Sequence, residues 1–183
     1  MRRHPALIPL SRDHHAGLVQ ASRLRRAAAE GDASARLAAA RDFLEFFRSE
    51  ERLHLRDEEE ALFPLLLRHV RSQPAPLREA RVQHVQLEGF ARKLDIAVAA
   101  GSVDRATLAA AGELLEAHIR LEERQLFPLI EELVPDDELS RLGLAVRDAT
   151  CAVEALDEAV DLLGIGVEGE ARPVGGGDAE PGD

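Results

Sequence analysis

The chain has 183 residues, a formal net charge of −11 at pH 7, and 45% hydrophobic but only 3% aromatic residues. This length suffices for one domain with a substantial core, and the abundance of Ala, Leu, Glu and Arg is typical of helices. The negative charge argues against nucleic acid and anionic membranes as partners, because their phosphates would be repelled. The single cysteine, Cys151, excludes an internal disulfide and a cysteine-based zinc cluster.

We expect no secretory signal in the first residues. Their short apolar run is interrupted by Pro5 and Pro9, whereas a secretory signal has a continuous apolar segment. No later segment approaches the length of a membrane span. We therefore expect a cytoplasmic protein.

Five amphipathic segments follow one another along the chain, separated by short stretches rich in Gly, Pro and Asp, and no run alternates as a strand would. The predicted helices cover residues 9–29, 34–71, 76–100, 104–134 and 137–163. Pro64 should kink the second helix or end its first half, because proline lacks the N–H that a helix interior uses. Four long helices with short connections predict an all-α fold, an up-down-up-down four-helix bundle with an additional C-terminal helix.

This reading divides the chain into three parts. The bundle occupies residues 5–134, and the additional C-terminal helix occupies residues 136–163. The remainder, residues 164–183, is acidic, rich in Gly and without apolar periodicity, so we expect a disordered tail.

A repeat lies inside the predicted bundle. Residues 54–65 read HLRDEEEALFPL and residues 118–129 read HIRLEERQLFPL, with eight of twelve positions identical. In both copies a glutamate follows the histidine by four positions, which on a helix places the two side chains on one face, about 6 Å apart along the axis. The two pairs are His54 with Glu58 and His118 with Glu122.

The comparison of the two copies also shows which acidic residues of the first copy belong to the shared motif. Asp57 is replaced by Leu121 in the second copy, so the feature that the copies share does not need Asp57. Glu59 and Glu123 are common to both copies, but they point about 100° further round the helix. We expect these two glutamates to face a neighbouring helix or water.

The first and third helices carry a fainter repeat. Aligning residues 11–24 with residues 81–94 matches His14 with His84, whereas His15 would pair with Val85 on a different face. His14 also lies on the apolar stripe of its helix, and we prefer it to His15 as the inward-facing histidine.

Each bundle helix thus contributes one inward histidine, and two helices add an inward glutamate. Without a partner, each buried carboxylate would cost several kcal/mol, and a metal centre would compensate all six groups together. Imidazole and carboxylate ligands without thiolate suit iron or manganese, with zinc and copper as alternatives. The predicted metal ligands are His14, His54, Glu58, His84, His118 and Glu122.

Two simpler interpretations and one rival fold compete with this prediction. A single His-x-x-x-Glu is most often a surface pair or a satisfied core histidine, but the repetition with matched LFP flanks favours a metal site. A ferritin-like centre needs Glu-x-x-His on two helices; Glu51 with His54 fits, but the matching position holds Leu115. We expect His4 and His69 on the surface.

The two copies differ one turn before their histidines. Glu50 and Glu51 precede His54, where the second copy has Leu114 and Leu115. The simpler expectation is that both glutamates face solvent. The alternative is that Glu51 is an additional ligand or a proton relay, which would make one end of the site wetter.

The arrangement H…HxxxE…H…HxxxE over residues 5–134 resembles the hemerythrin-like domains, also called HHE cation-binding domains. The resemblance implies a non-haem di-iron centre inside the bundle, with two iron ions per chain completed by an oxo or hydroxo bridge. Glu58 and Glu122 would bridge the irons, and the histidines would be terminal ligands: His14, His54, His84 and His118.

The resemblance also bears on function. The oxygen-carrying hemerythrins of invertebrates have five histidines with one Glu and one Asp, so four histidines leave more open coordination here. Open positions favour binding or reduction of dioxygen, peroxide or nitric oxide. The same residue set resembles bacterial iron–sulfur repair proteins that respond to nitric oxide.

Three functional hypotheses follow from this resemblance. The first is a binding protein that senses dioxygen or nitric oxide, in sensing or stress response, with a protein partner or a homodimer reading the change. The alternative is a di-iron enzyme that reduces or dismutates peroxide or nitric oxide, and iron storage comes third. The absence of Tyr and Trp removes the usual carriers of radicals and slightly favours binding.

Overall fold

In the computed structural model, residues 3–142 are described, and they contain helices but no strand. A short 3-10 turn, Pro5–Leu7, leads into the first of four long helices. We label these helices α1 (Ile8–Glu30), α2 (33–67), α3 (Ala75–Ala99) and α4 (105–133). The prediction of an all-α fold is confirmed for this part of the chain.

Local sequence accounts for three of the helix ends. The side chains of Asp32 and Asp104 accept hydrogen bonds of 2.8 Å from backbone N–H groups in the first turns of α2 and α4, which satisfies donors that a helix start leaves free. Gly101, just after α3, adopts a positive φ of 72°, the left-handed conformation in which glycine commonly follows a helix.

The helices α2 and α4 contain π-helical segments that the sequence did not predict. They are Phe47–Glu51 and Glu58–Leu62 in α2 and Glu122–Leu126 in α4. Of the two alternatives for Pro64, the end of a half of the second helix is wrong, because the helix continues to Leu67; the kink stays a prediction. Pro64 lies at the start of the α-helical segment that follows the π-helical turn, a position where proline is tolerated.

The four helices form a helical bundle. α1 contacts α4 most extensively and also contacts α2, while α3 contacts both α2 and α4. Two apolar clusters fill the interior; the first includes Leu24, Phe43, Leu94 and Leu108, and the second includes Leu7, Phe63, Leu77 and Phe127. On α1, His14 lies between Leu10 of the second cluster and Ala21 of the first. The predicted ligands of the other helices fall between the clusters in the same way, so the polar layer lies between two apolar layers.

The helices α1 and α4 pack closely at Gly112. A Cβ atom there would lie 2.8 Å from the backbone oxygen of Ala21, closer than van der Waals contact allows. We expect Gly112→Ala to destabilise the protein by about 1–3 kcal/mol, as overpacking usually does, measured by urea unfolding. Gly89→Ala is the matched control, because nothing lies within 4 Å of its added Cβ; it should be stabilising by about 1 kcal/mol or less. Equal effects of the two substitutions would contradict this packing.

Residues 136–142 are helical and begin where the additional C-terminal helix was predicted. The rest of that helix (136–163), Cys151 and the predicted tail (164–183) lie outside the described residues. Within residues 3–142 we find no helix with the length and apolar character needed to cross a membrane.

Candidate metal centre

All six predicted ligands are buried in the middle layer of the bundle, none more than 5% exposed. Their nitrogen and oxygen atoms form two groups, within each of which one atom from every residue lies within 4.8 Å of the others. The groups are His14, His54, Glu58 and Glu122, and Glu58, His84, His118 and Glu122. Both glutamates belong to both groups, which is the arrangement that two neighbouring cations with shared carboxylates require.

The first group is held by α1, α2 and α4. The Nε2 atoms of His14 and His54 lie 3.1 Å apart and therefore point at the same place. His14 Nε2 lies 3.1 Å from Glu122 Oε2, and His54 Nε2 lies 3.4 Å from Glu58 Oε1. Two histidine nitrogens and one oxygen from each glutamate thus converge on one point.

The second group is the counterpart on the other side of the glutamates. His84 Nε2 lies 3.4 Å from Glu58 Oε2, and His118 Nε2 lies 3.5 Å from Glu122 Oε2. The two oxygens of Glu58 therefore face different histidines, Oε1 facing His54 and Oε2 facing His84. This orientation is the one that a bridging carboxylate adopts.

Each of the four histidines has a polar partner at Nδ1, the ring nitrogen that faces away from the centre. The pairs are His14 with Glu123 at 2.8 Å, His54 with Asp13 at 3.3 Å, His84 with Glu59 at 3.1 Å, and His118 with Gln83 at 3.3 Å. An acceptor at Nδ1 selects the tautomer whose Nε2 lone pair points inward, and metal-binding histidines are usually oriented in this way. The expectation that Glu59 and Glu123 would face a neighbouring helix is confirmed.

Sequence reasoning missed these four partners as a set. Two of them, Glu59 and Glu123, follow the repeated glutamate directly in both copies, and that repetition was a usable signal. Asp13 and Gln83 precede His14 and His84 by one residue, a relation that becomes visible only when the helices are placed side by side.

Two arginines hold the outer glutamates in place. Arg81 donates to Glu59 at 2.8 Å, and Arg3 donates to Glu123 at 2.6 Å. Although burial alone would raise it, hydrogen bonds from His14 and Arg3 lower the pKa of Glu123 to about 2. Glu123 is therefore ionised at neutral pH and remains an acceptor for His14.

The phenylalanine of each LFP motif covers a histidine of the neighbouring helix. Phe127 stacks on His14 with ring centres 5.4 Å apart, and Phe63 stacks on His84 at 5.5 Å, both with an interplanar angle of 18°. Both phenylalanines are fully buried. The repeated motif thus fixes the ring orientation of the two histidines that lie outside the repeat.

The residues fit a bound cation, as their unsatisfied atoms show. Both carboxylate oxygens of Glu58, one of Glu122, and the Nε2 atoms of His84 and His118 are buried without a hydrogen-bond partner. Leaving such a group unpaired costs about 1–3 kcal/mol, and more when it is charged. Cations that accept the lone pairs of these atoms would remove this free-energy cost.

Metal binding is expected to release protons at pH 7. Although burial alone would lower them, nearby carboxylates raise the pKa of His14 to about 9 and that of His84 to about 10. Despite burial, Glu58 and Asp13 raise the pKa of His54 well above its usual value. Because a ligating histidine must be neutral, filling the site should release up to about three protons, measurable by calorimetry in buffers of different ionisation enthalpy.

This prediction has a control and a second consequence. His14→Gln should reduce the number of released protons by about one, and release of none would contradict the assignment of these histidines. The raised pKa of His14 stabilises the metal-free protein at low pH; that contribution should be lost as pH rises from 6.5 to about 9.

The remaining candidate residues differ in whether the structure buries or exposes their side chains. His15 is exposed, in agreement with the preference for His14, and Glu50 is exposed as expected. The expectation that Glu51 faces solvent is wrong, because its side chain is only 6% exposed, and burial raises its pKa to about 7. Glu51 belongs to neither group of four, and its repeat counterpart, Leu115, is fully buried.

His4 and His69 are half-buried rather than on the surface, which corrects the prediction. His4 Nε2 lies 3.0 Å from Asp136 and His69 Nε2 lies 3.3 Å from Glu138. Both carboxylates follow α4, so these histidines contact the segment after the bundle instead of the centre.

Comparison with known proteins agrees with the geometry of the site. Neither the comparison with curated proteins nor the comparison with solved structures gives a match. A family model described as the hemerythrin HHE cation binding domain matches residues 7–130, a range that contains all six predicted ligands and all but the last residues of the four helices that carry them. The chain therefore belongs to the hemerythrin HHE cation-binding domain family.

Proposed function

We propose that the protein is a non-haem di-iron protein that binds dioxygen or nitric oxide, in sensing or stress response. The observation that carries this proposal is the sharing of Glu58 and Glu122 by two groups of buried histidines. These glutamates would be shared by two iron ions, and the histidines would hold one iron each in pairs: His14 with His54, and His84 with His118.

The fold supports this assignment. The connections between successive long helices are short, which favours the up-down-up-down order of a four-helix bundle. In that order each helix presents one histidine to the same layer. The family match and a donor set of nitrogen and oxygen without sulfur favour iron.

The count of ligands supports binding of a small molecule. Two histidines and two shared carboxylates would offer each iron four protein donors, fewer than the six of an octahedral ion. When bound, iron would supply an open coordination position for a diatomic ligand. Because apolar layers lie on both sides of the centre, we expect only small molecules to reach it. A protein partner or a second copy of the chain would respond to the change that ligand binding causes.

Visible spectroscopy of the reduced, iron-loaded protein tests the proposal. Adding dioxygen or nitric oxide should produce a new absorption band that disappears when the ligand is removed. His14→Gln should lose the band, while the exposed neighbour His15→Gln should keep it. Failure of the wild type to respond to either gas would contradict the proposal.

One observation favours an enzyme as the second candidate. Reduction of peroxide or nitric oxide takes electrons from an external reductant and also consumes protons, and Glu51 is a buried acid that lies three residues before His54 on α2. Repeated turnover of peroxide or nitric oxide, lost in Glu51→Gln but kept in Glu50→Gln, would support the enzyme. A reversible adduct without turnover would support the binding protein.

A further inference from the structure

The two halves of the centre are related by the internal repeats, and part of their surroundings is equivalent. Glu123 accepts from His14 and is held by Arg3, as Glu59 accepts from His84 and is held by Arg81. Both glutamates are 30% exposed. These two pairs of charges therefore contribute similarly to the two halves and do not distinguish them.

The first difference is at the other histidine of each half. Asp13 Oδ2 lies 3.3 Å from His54 Nδ1, and Gln83 Oε1 lies 3.3 Å from His118 Nδ1. The two distances are the same, but one acceptor is a carboxylate and the other is a neutral amide. A carboxylate makes the imidazole a more basic ligand. The amide of Gln83 also donates to Glu79 at 3.1 Å, which directs its oxygen towards His118.

The second difference is one turn before the repeated histidine. Glu51 is 6% exposed, whereas Leu115, its counterpart in the second copy, is fully buried. A Cβ atom added to Gly17, one turn after His14 on α1, would lie 3.9 Å from Glu51 Oε2. The side chain of Glu51 thus lies beside the helical turns that carry His14 and His54.

The difference lies in the side chain itself, because Glu51 and Leu115 are both buried and both stand three residues before a histidine. The helix type around the two positions differs as well. Glu51 ends the π-helical segment Phe47–Glu51. The corresponding part of α4 is regular α-helix from Arg105 to Leu121. π-helical turns inside α-helices are frequent at functional sites.

We propose that the two metal positions are unequal, and that the position at His14 and His54 binds a divalent cation first and more tightly than the position at His84 and His118. This inference rests on the proposed two-metal centre. Two additional carboxylates, Asp13 and Glu51, face the first half, where the second has Gln83 and Leu115. Mutation of an outer partner of a metal-bound histidine typically lowers metal affinity about 10- to 100-fold, so a carboxylate in place of an amide at this position is expected to make the first position fill before the second.

Nuclear magnetic resonance of ¹⁵N-histidine-labelled protein, titrated with zinc, resolves the two positions separately. Zinc is diamagnetic and accepts histidine and carboxylate ligands. With one equivalent added, the ring signals of His14 and His54 should change while those of His84 and His118 stay largely as in the metal-free protein. The second equivalent should change the latter pair. The four signals are assigned with single His→Gln variants.

Isosteric variants test the stated cause. In the double variant Asp13→Asn with Glu51→Gln, the first equivalent should distribute over both positions, and Gln83→Glu should shift occupancy towards His84 and His118. Glu50→Gln, an exposed neighbour, should leave the wild-type order unchanged.

The contrary outcomes are distinct from one another. An even distribution or the reverse order in the wild type would overturn the inequality, and a wild-type order preserved in the double variant would overturn its assigned cause. Both results leave the two-metal centre standing. Failure to bind a second equivalent at any concentration would instead overturn the two-metal centre, and the inequality with it.

Discussion

Glu58→Gln is expected to lower the iron content of the loaded protein from about two ions per chain to one or fewer. Glu58 is fully buried, and its two oxygens face histidines of different groups. An amide offers only one oxygen to a cation and no charge, so neither position keeps its full set of ligands. The loss should appear in metal analysis after removal of weakly bound iron.

The same substitution also changes stability in a way that reveals the role of the residue. A ligand that binds only the folded state at about 1,000 times its Kd adds about 4 kcal/mol of stability, and Glu58→Gln should lose most of that gain. The control is Glu60→Gln, which is exposed and should keep both iron and stability. Full iron content in Glu58→Gln would contradict the bridging role.

Phe127→Ala is expected to destabilise the protein by about 3–5 kcal/mol, the usual range for removing a buried phenylalanine. Phe127 is fully buried and stacks on His14. Loss of the ring should also free the imidazole of His14 to rotate, so the affinity for the first metal should fall. Thermal unfolding and metal titration measure the two effects.

The control for this prediction separates packing from ring stacking. Phe127→Leu keeps an apolar side chain but removes the stacked ring, so it should restore most stability while metal affinity stays reduced. Phe90→Ala, at a half-buried position on α3, should be tolerated better. If Phe127→Ala left metal affinity unchanged, the ring would have no part in positioning His14.

Much of the fold could be predicted from the sequence, because apolar residues recur at helical spacing and the breaks are marked by Asp and Gly. The second predicted helix (34–71) corresponds to α2 at 33–67, with Asp32 as its cap. The π-helical segments could not be predicted, because no side chain signals a change in backbone hydrogen-bond spacing. The π-helical segment Glu58–Leu62 also explains how the helix tolerates Pro64, because Pro64 lies at the start of the α-helical segment that follows it.

The six ligands could be predicted because the chain contains two copies of the same motif that can be compared with each other. A residue that differs between the copies, such as Asp57 against Leu121, is dispensable to what they share. The same argument gives a wrong result for Glu51. The second copy has Leu115 at this position, so Glu51 was expected to face solvent. The structure places Glu51 inside, so the two halves of the centre are similar but not identical.

The outer partners of the histidines could not be predicted from the sequence, because they come from different helices. Asp13 and His54 are 41 residues apart, and only packing of α1 against α2 brings them together. Helical periodicity gives the face on which a side chain lies but not the neighbour that it meets. The charge around the centre therefore required the structure.

Anomalous X-ray scattering at the iron edge from crystals of the iron-loaded protein tests the central claim most directly. Two peaks are predicted, one between the Nε2 atoms of His14 and His54 and the other between those of His84 and His118, with the carboxylates of Glu58 and Glu122 contacting both. A single peak, or iron bound away from these six residues, would contradict a two-iron centre in this bundle.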